Sequence, residues 1–322
     1  MYSLNRRTFL AAAGSAALPL AGHSAPQFPS RPIRMVIPFA PGGTVDPMAR
    51  MVADVLAKRL GGTVFCENKP GANGLVAADA IMGSPMDGYH LLYAGSSMYE
   101  KMFTLKKTFD PFKNFQLIAR IVEVPLVFAV SSAIPAKTLP EFIDYAKRKG
   151  DFSAGSWGVG SGGHLQTAEL ASQAQLKFVH AVYKGEGPIL LDVMAGLVDG
   201  GFFSVSAAMA QAATGKLTLL AVTGAQRHPL APDVPTFAES GFKGFDSSTW
   251  HGVFYGKGVP ADIASLVANH IVEGMGQKDI VSKVEKMGIT PALLAGEPLQ
   301  KFLAKNYENL EVAMRKFNIE PQ

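Results

Sequence analysis

The stretch RMVIPFAPGGTVDPMARMVADVL, residues 34–56, constrains the fold most. An apolar run, Met35-Val36-Ile37-Pro38-Phe39, stops at Pro41-Gly42-Gly43. Val45, Met48, Val52, Val55 and Leu56 then recur at helical intervals. This predicts a buried strand over 33–39, a glycine turn, and a helix over 45–60. Thr44 or Asp46 is the candidate N-cap, and Pro47 fits the first turn. A strand that feeds a glycine turn and a helix start aims unpaired backbone N–H groups at one point, which suits an anion. The same pattern also serves a plain strand-to-helix turn.

The pattern recurs along the chain. A strand is expected at 63–67, a turn at Asn68 to Gly74, a helix at about 75–83, and a strand from Tyr89 to Ala94. This is βαβαβ, the order of a parallel sheet covered on both faces. A long connection runs from Gly95 to Phe115. A second block then begins with a strand over 126–130. It continues with helix 138–149, strand 152–157, a glycine loop 158–163, helix 164–175, strand 178–183 and helix 188–196. A short strand 198–203, helix 205–213 and strand 217–223 close it. A segment with Pro229, Pro232 and Pro235, a strand through Trp250 to Tyr255 and a helical C-terminus complete the chain. Ligands on such sheets bind beyond the carboxyl ends of the strands. The loops at 40–44, 70–74, 94–97, 158–164, 183–187 and 203–206 all follow strands, so they converge on a cleft between two α/β units.

The N-terminus reads as an export signal. Asn5-Arg6-Arg7-Thr8-Phe9-Leu10 resembles the twin-arginine motif, and the apolar run from Leu10 to Leu20 is too short to span a bilayer. Residues 1–25 form the expected signal peptide, with Gly22-His23-Ser24 as a small-x-small cleavage option, and the mature protein is expected in the periplasm. Without Arg6 and Arg7 the chain carries 28 basic against 26 acidic residues, with no basic run, which argues against nucleic acid. The single cysteine, Cys66, cannot form an internal disulfide and reads as a buried, inert thiol.

The chain carries three enzyme-like signals. Gly158-Val159-Gly160-Ser161-Gly162-Gly163 fits a dinucleotide fingerprint literally, but Phe152 to Ser156 is a poor central strand. Ser156 sits in an alanine variant of the nucleophile elbow, with His180, His228, His251 and His270 downstream in no persuasive context. No two of the seven histidines form an i, i+4 pair, so no metal is expected. What remains is a receptor for a small anion held by backbone amides, hydroxyls and helix N-termini. Asp46 conflicts with that reading unless it points aside, bridges through water, or meets an amino or hydroxyl group of the ligand.

Pro29-Ser30-Arg31-Pro32-Ile33, Pro41-Gly42-Gly43-Thr44-Val45-Asp46, Glu67-Asn68-Lys69-Pro70-Gly71-Ala72, Asp87-Gly88-Tyr89, Gly158 to His164, Tyr183-Lys184-Gly185 and Pro232-Asp233-Val234-Pro235-Thr236 resemble, in order, the Bug/TctC family. These are extracytoplasmic solute receptors of tripartite tricarboxylate transporters. The resemblance implies a type II periplasmic binding fold. Domain 1 would comprise 26–124 plus 226–322, and domain 2 would comprise 125–225, joined by two crossing strands. It implies a small carboxylate as ligand, hinge closure around it, and docking to a two-subunit membrane permease, with no cofactor and a monomeric receptor. A sensor that presents its closed form to a membrane signalling partner uses the same fold. Ligand contacts are expected from Phe39, Ala40, Gly42, Gly43, Thr44, Asp46, Gly71, Ala72, Ser96 and Ser97 of domain 1. Gly160, Ser161, His164, Tyr183, Lys184, Gly185 and Ser204 would contribute from domain 2.

Overall fold

A computed structural model describes residues 28–319 apart from 42, 72, 73, 105–109 and 247; for 101–104 it describes the backbone alone. The expected export signal lies outside the described residues.

The chain builds two α/β lobes, each around its own sheet. In the first, β1 (Ile33–Ile37), α1 (Val45–Leu60), β2 (Val64–Asn68), α2 (Leu75–Met82) and β3 (His90–Gly95) follow the expected order. β1 lies between β2 and β3 and is parallel to both, with Met35 opposite Cys66 on one side and Leu91 on the other. Alternation along β1 explains how both faces are covered. Ile33, Met35 and Ile37 pack with Met48, Val52 and Leu56 of α1. Val36 faces the opposite way, against Ala77, Ala78 and Ile81 of α2. Cys66 is half-buried, and burial pushes its thiol up to about 11, which keeps it unreactive.

The connection from Gly95 to Phe115 is not plain loop. It contains α3 (Ser97–Thr104) and a short turn, α4 (Pro111–Asn114). Asp110 caps α4 by accepting from the amides of Phe112 and Lys113. Next comes β4 (Phe115–Val124), a ten-residue strand that no expectation covered. Its burial on both faces removes the alternation that marks a half-exposed strand. Arg120 and Glu123 interrupt its apolar run, but they pair with each other, and the Arg120 guanidinium lies 4.0 Å from the centre of the Phe302 ring.

Pro125 alone separates β4 from β5 (Leu126–Ser131), which belongs to the second sheet. The second lobe then runs through α5 (Leu139–Lys149), β6 (Phe152–Ser156), α6 (Gly162–Ala174), β7 (Phe178–Val182), α7 (Glu186–Met194), β8 (Gly200–Ser204), α8 (Val205–Ala212) and β9 (Leu217–Val222). The sheet order is β7-β6-β8-β5-β9. Phenylalanines dominate its core. Phe128 and Phe202 lie 5.2 Å apart between ring centres, and Phe237 and Phe245 stack at 4.0 Å.

Residues 223–248 lead back to β10 (Thr249–Gly256), which lies between β4 and β3 of the first sheet, antiparallel to both. α9 (Ala261–Met275), α10 (Lys278–Lys286), the edge strand β11 (Thr290–Leu294) and α11 (Gly296–Lys316) finish the chain. β11 also went unanticipated, being five residues long with Pro291 inside it. The first sheet therefore reads β11-β4-β10-β3-β1-β2. Both connections between the lobes pass side by side where Thr249 pairs with Val124. Just beyond, Leu126 exchanges hydrogen bonds with Thr223. This two-stranded crossing is the hinge geometry of the expected fold.

Candidate functional site: the cleft between the lobes

Four helices begin at the ends of strands facing this crossing. α1 follows the turn at Phe39 to Thr44, α3 follows Ser96, α7 follows Gly185, and α8 follows Ser204. Between them lies a cavity of about 60 Å³ lined by both lobes. Phe39, Ala40, Gly43, Thr44, Ser96 and Ser97 contribute from the first lobe, and Gly185 and Ser204 from the second. A second chamber of about 200 Å³ shares Ser96, Thr249 and Trp250 with it and extends along α6 and α11.

Sequence reasoning missed the walls of this cavity. Trp157, Trp250, His251, Val124, Leu126, Thr249 and Glu186 all line it. Trp157 and Trp250 are the two tryptophans of the chain. Trp157 follows strand β6 and Trp250 lies in strand β10, on different lobes, and no local pattern signals that both will line one cavity.

The other expected contacts lie elsewhere. Asp46 is drawn off the helix start by Arg50, whose Nε donates to it at 2.9 Å, and by Asn68, whose amide donates at 2.7 Å. The Arg50 hydrogen bond, with that from Asn68, holds its carboxyl below the usual range. Thr44 occupies the N-cap position of α1, but its side chain makes no capping bond, and neither does that of Asp46. The Tyr183 hydroxyl donates to Asp192 at 2.6 Å, Lys184 is exposed, and Gly71 is outside the cavity lining. Gly42 and Ala72 lie outside the described residues.

Gly160, Ser161 and His164 form a locked loop behind the cleft. Gly160 has φ +72°, a left-handed conformation that glycine favours. Its amide donates to His164 Nδ1 at 3.0 Å, and the His164 amide donates to Ser161 Oγ at the start of α6. The His164 ring stacks on His180 at 3.8 Å, and His180 Nε2 lies 2.6 Å from Ser156 Oγ. Ser156 and His180 thus meet, as the sequence alone did not suggest. Ser156 is 1% exposed, however, and its hydroxyl is also tied to Gly158 and Ser161, so the pair fixes the glycine loop. Among the described residues, no group of three His, Cys, Asp or Glu could hold a metal ion.

Burial keeps these imidazoles neutral. It pushes His251, His164 and His180 each down to about 4, with neighbouring His180 adding to the effect at His164. The unfolded chain, with ordinary histidines near 6.5, takes up these protons first. Their stabilising contribution is therefore whole above pH 6.5 and is lost as pH falls toward 4. For His251 alone the limit is roughly 3 kcal/mol. Chemical denaturation at pH 7 and pH 4.5 should show a clear loss at the lower pH, and His251→Gln should flatten part of it.

The comparisons agree with this architecture. The model of the tripartite tricarboxylate transporter family receptor, TctC, matches residues 48–319. The chain belongs to the TctC receptor family. Protein BugT of Bordetella pertussis is 32% identical over 314 residues, which cover 96% of this chain and 94% of that one. The structure of the periplasmic binding protein BugD superposes with a TM-score of 0.85 at 28% identity, covering 92% of this chain and all of that one. An R. palustris protein solved with adipate gives 0.87 at 26% identity, with the same coverage. The TctC chain thus has the periplasmic binding fold that its motifs imply. Among the described residues no helix is long and apolar enough to cross a membrane.

Proposed function

We propose that this chain is a periplasmic solute receptor that captures a small carboxylate between its lobes and delivers it to a two-subunit membrane permease. The observation that carries this reading is the convergence of four helix N-termini, from both lobes, on one cavity at the hinge. Each N-terminus presents amides and the positive end of a dipole, so an anionic or strongly polar ligand can be held without a basic side chain. Contacts on both lobes make affinity greatest in the closed form, so ligand shifts the population toward closure. The ligand of the R. palustris neighbour, adipate, fits the proposed class.

In this reading residues 26–124 and the chain from β10 onward act as one rigid domain, and 125–225 act as the other together with the returning segment, whose Phe237 and Phe245 pack in the second lobe's core. The receptor works as a monomer and reaches the periplasm by the twin-arginine route through residues 1–25. No step requires a bond to be made or broken.

A thermal-shift screen of the mature chain tests the proposal. The panel is citrate, malate, adipate, aspartate, glutamate, nicotinate and terephthalate, with NAD as a control. A ligand at a hundred times its dissociation constant stabilises by about 2.7 kcal/mol. That moves the melting point by roughly 4 °C for a chain of this size. A shift with one or two carboxylates is expected; a shift with NAD alone would overturn the receptor reading.

A further inference from the structure

Glu186, at the first turn of α7, places a carboxylate inside the cavity. It belongs to the second lobe yet reaches the anion turn of the first. A Cβ added at Gly43 would lie 3.0 Å from Glu186 Oε2 and 3.3 Å from its Cβ. The Ser204 amide at the start of α8 donates to Oε1, and Thr44 at the start of α1 lines the cavity beside the same carboxyl group. The Ser204 hydroxyl, 2% exposed, lies toward the same group without completing a hydrogen bond of standard geometry. One of the four helix N-termini therefore already donates to a carboxyl group that the protein supplies; burial raises the pKa of that group, and the Ser204 amide opposes the rise by favouring the ionised form.

The charge balance of the cavity follows. Among the described residues that line it, none is lysine or arginine, and Glu186 is the one carboxylate. His251 is neutral because it is buried. Next to the cavity, Ser96 Oγ donates to the buried carboxyl group of Glu100 at 2.9 Å, so that hydroxyl at the α3 start is already engaged. A second ligand carboxylate would meet Glu186 in a partly dry site, where like charges a few ångströms apart repel strongly.

We infer that Glu186 is a built-in counter-anion that sets specificity: the cleft takes a ligand with no more than one carboxylate, together with a neutral or cationic hydrogen-bond donor that meets Glu186. An amide, ammonium or hydroxyl group fits that place, whereas a di- or tricarboxylate does not. This rests on the carboxylate-receptor reading above and narrows it.

The test compares acids that differ only at one end. Calorimetry on wild type, Glu186→Gln and Glu186→Ala would use succinate, glutarate and adipate, their monoamides, and the ω-amino acids of the same lengths. Melting points of the unliganded variants establish that they are folded. Wild type should bind the best monoamide or amino acid at least tenfold more tightly than the matching dicarboxylate. Both variants should narrow or reverse that ratio, chiefly by gaining affinity for the dicarboxylate. Equal or tighter dicarboxylate binding by wild type, with no change in ratio in the variants, would overturn the proposal and leave the receptor reading standing. If no member of the panel binds any of the three proteins, this inference fails, while the carboxylate-receptor reading stands or falls on the thermal screen above.

Discussion

Replacing Gly43 with valine should weaken solute binding by at least a hundredfold while leaving the melting point of the unliganded protein nearly unchanged. Gly43 is not held in a left-handed conformation, so the backbone tolerates a side chain. The obstacle is steric and lies across the cleft. A single Cβ would already crowd Glu186 at 3.0 Å and 3.3 Å, and valine adds two methyl groups beyond it. Glu186 cannot swing aside cheaply, because the Ser204 amide holds its carboxylate. The lobes would have to stay apart, and a closed form populated a hundredfold less raises the apparent dissociation constant by the same factor. That corresponds to about 2.7 kcal/mol. Adding Glu186→Ala to the Gly43→Val protein should recover part of the affinity. Wild-type affinity in Gly43→Val would move the binding site away from this turn.

The largest loss of stability is expected at Phe202. This residue sits in the middle of β8 with no exposed surface. Its ring lies 5.2 Å from Phe128, 5.5 Å from Phe237 and 6.2 Å from Phe245, measured between centres. Truncation to alanine removes buried apolar area and leaves a cavity that the surrounding rings cannot fill without losing their own contacts. Such changes cost about 3–5 kcal/mol. Phe237 and Phe245 belong to the segment that returns to the first lobe, so the crossing loosens as well. The melting point of Phe202→Ala should fall by roughly 5–8 °C. A loss below about 1 kcal/mol would mean that the cluster repacks freely, contrary to the close ring contacts.

The sequence made the parallel core legible because each early strand ends at a glycine or proline turn and each helix starts at the next apolar repeat. β1, α1 and β2 lie where those signals put them. β4 carried no such signal. It is buried on both faces, and its two charged residues, Arg120 and Glu123, resemble loop chemistry until the fold pairs them. The candidate site was legible in its turns, since Gly43, Thr44, Ser96, Gly185 and Ser204 all follow strands and line the cavity. Its walls were not, because Trp157, Trp250 and His251 come from elements that meet only through the crossing. Asp46 shows the same limit. Its conflict with an anion site is resolved by Arg50 one turn along the helix and by Asn68 on a neighbouring strand. Glu186 matters for its reach across the cleft to Gly43, which spacing along the chain does not express.

The most direct test of a cleft receptor uses the two tryptophans. Both line the cavity, one following β6 of the second lobe and the other on β10 at the crossing. Intrinsic fluorescence should be titrated with the best ligand from the thermal screen, in wild type, Trp157→Phe and Trp250→Phe, beside calorimetry of the same samples. Closure around a ligand should give a saturable change in emission at one ligand per chain. Its midpoint should match the calorimetric one, and each single replacement should alter its amplitude. Calorimetric binding with silent emission in all three proteins would place the ligand outside the cleft and contradict the account.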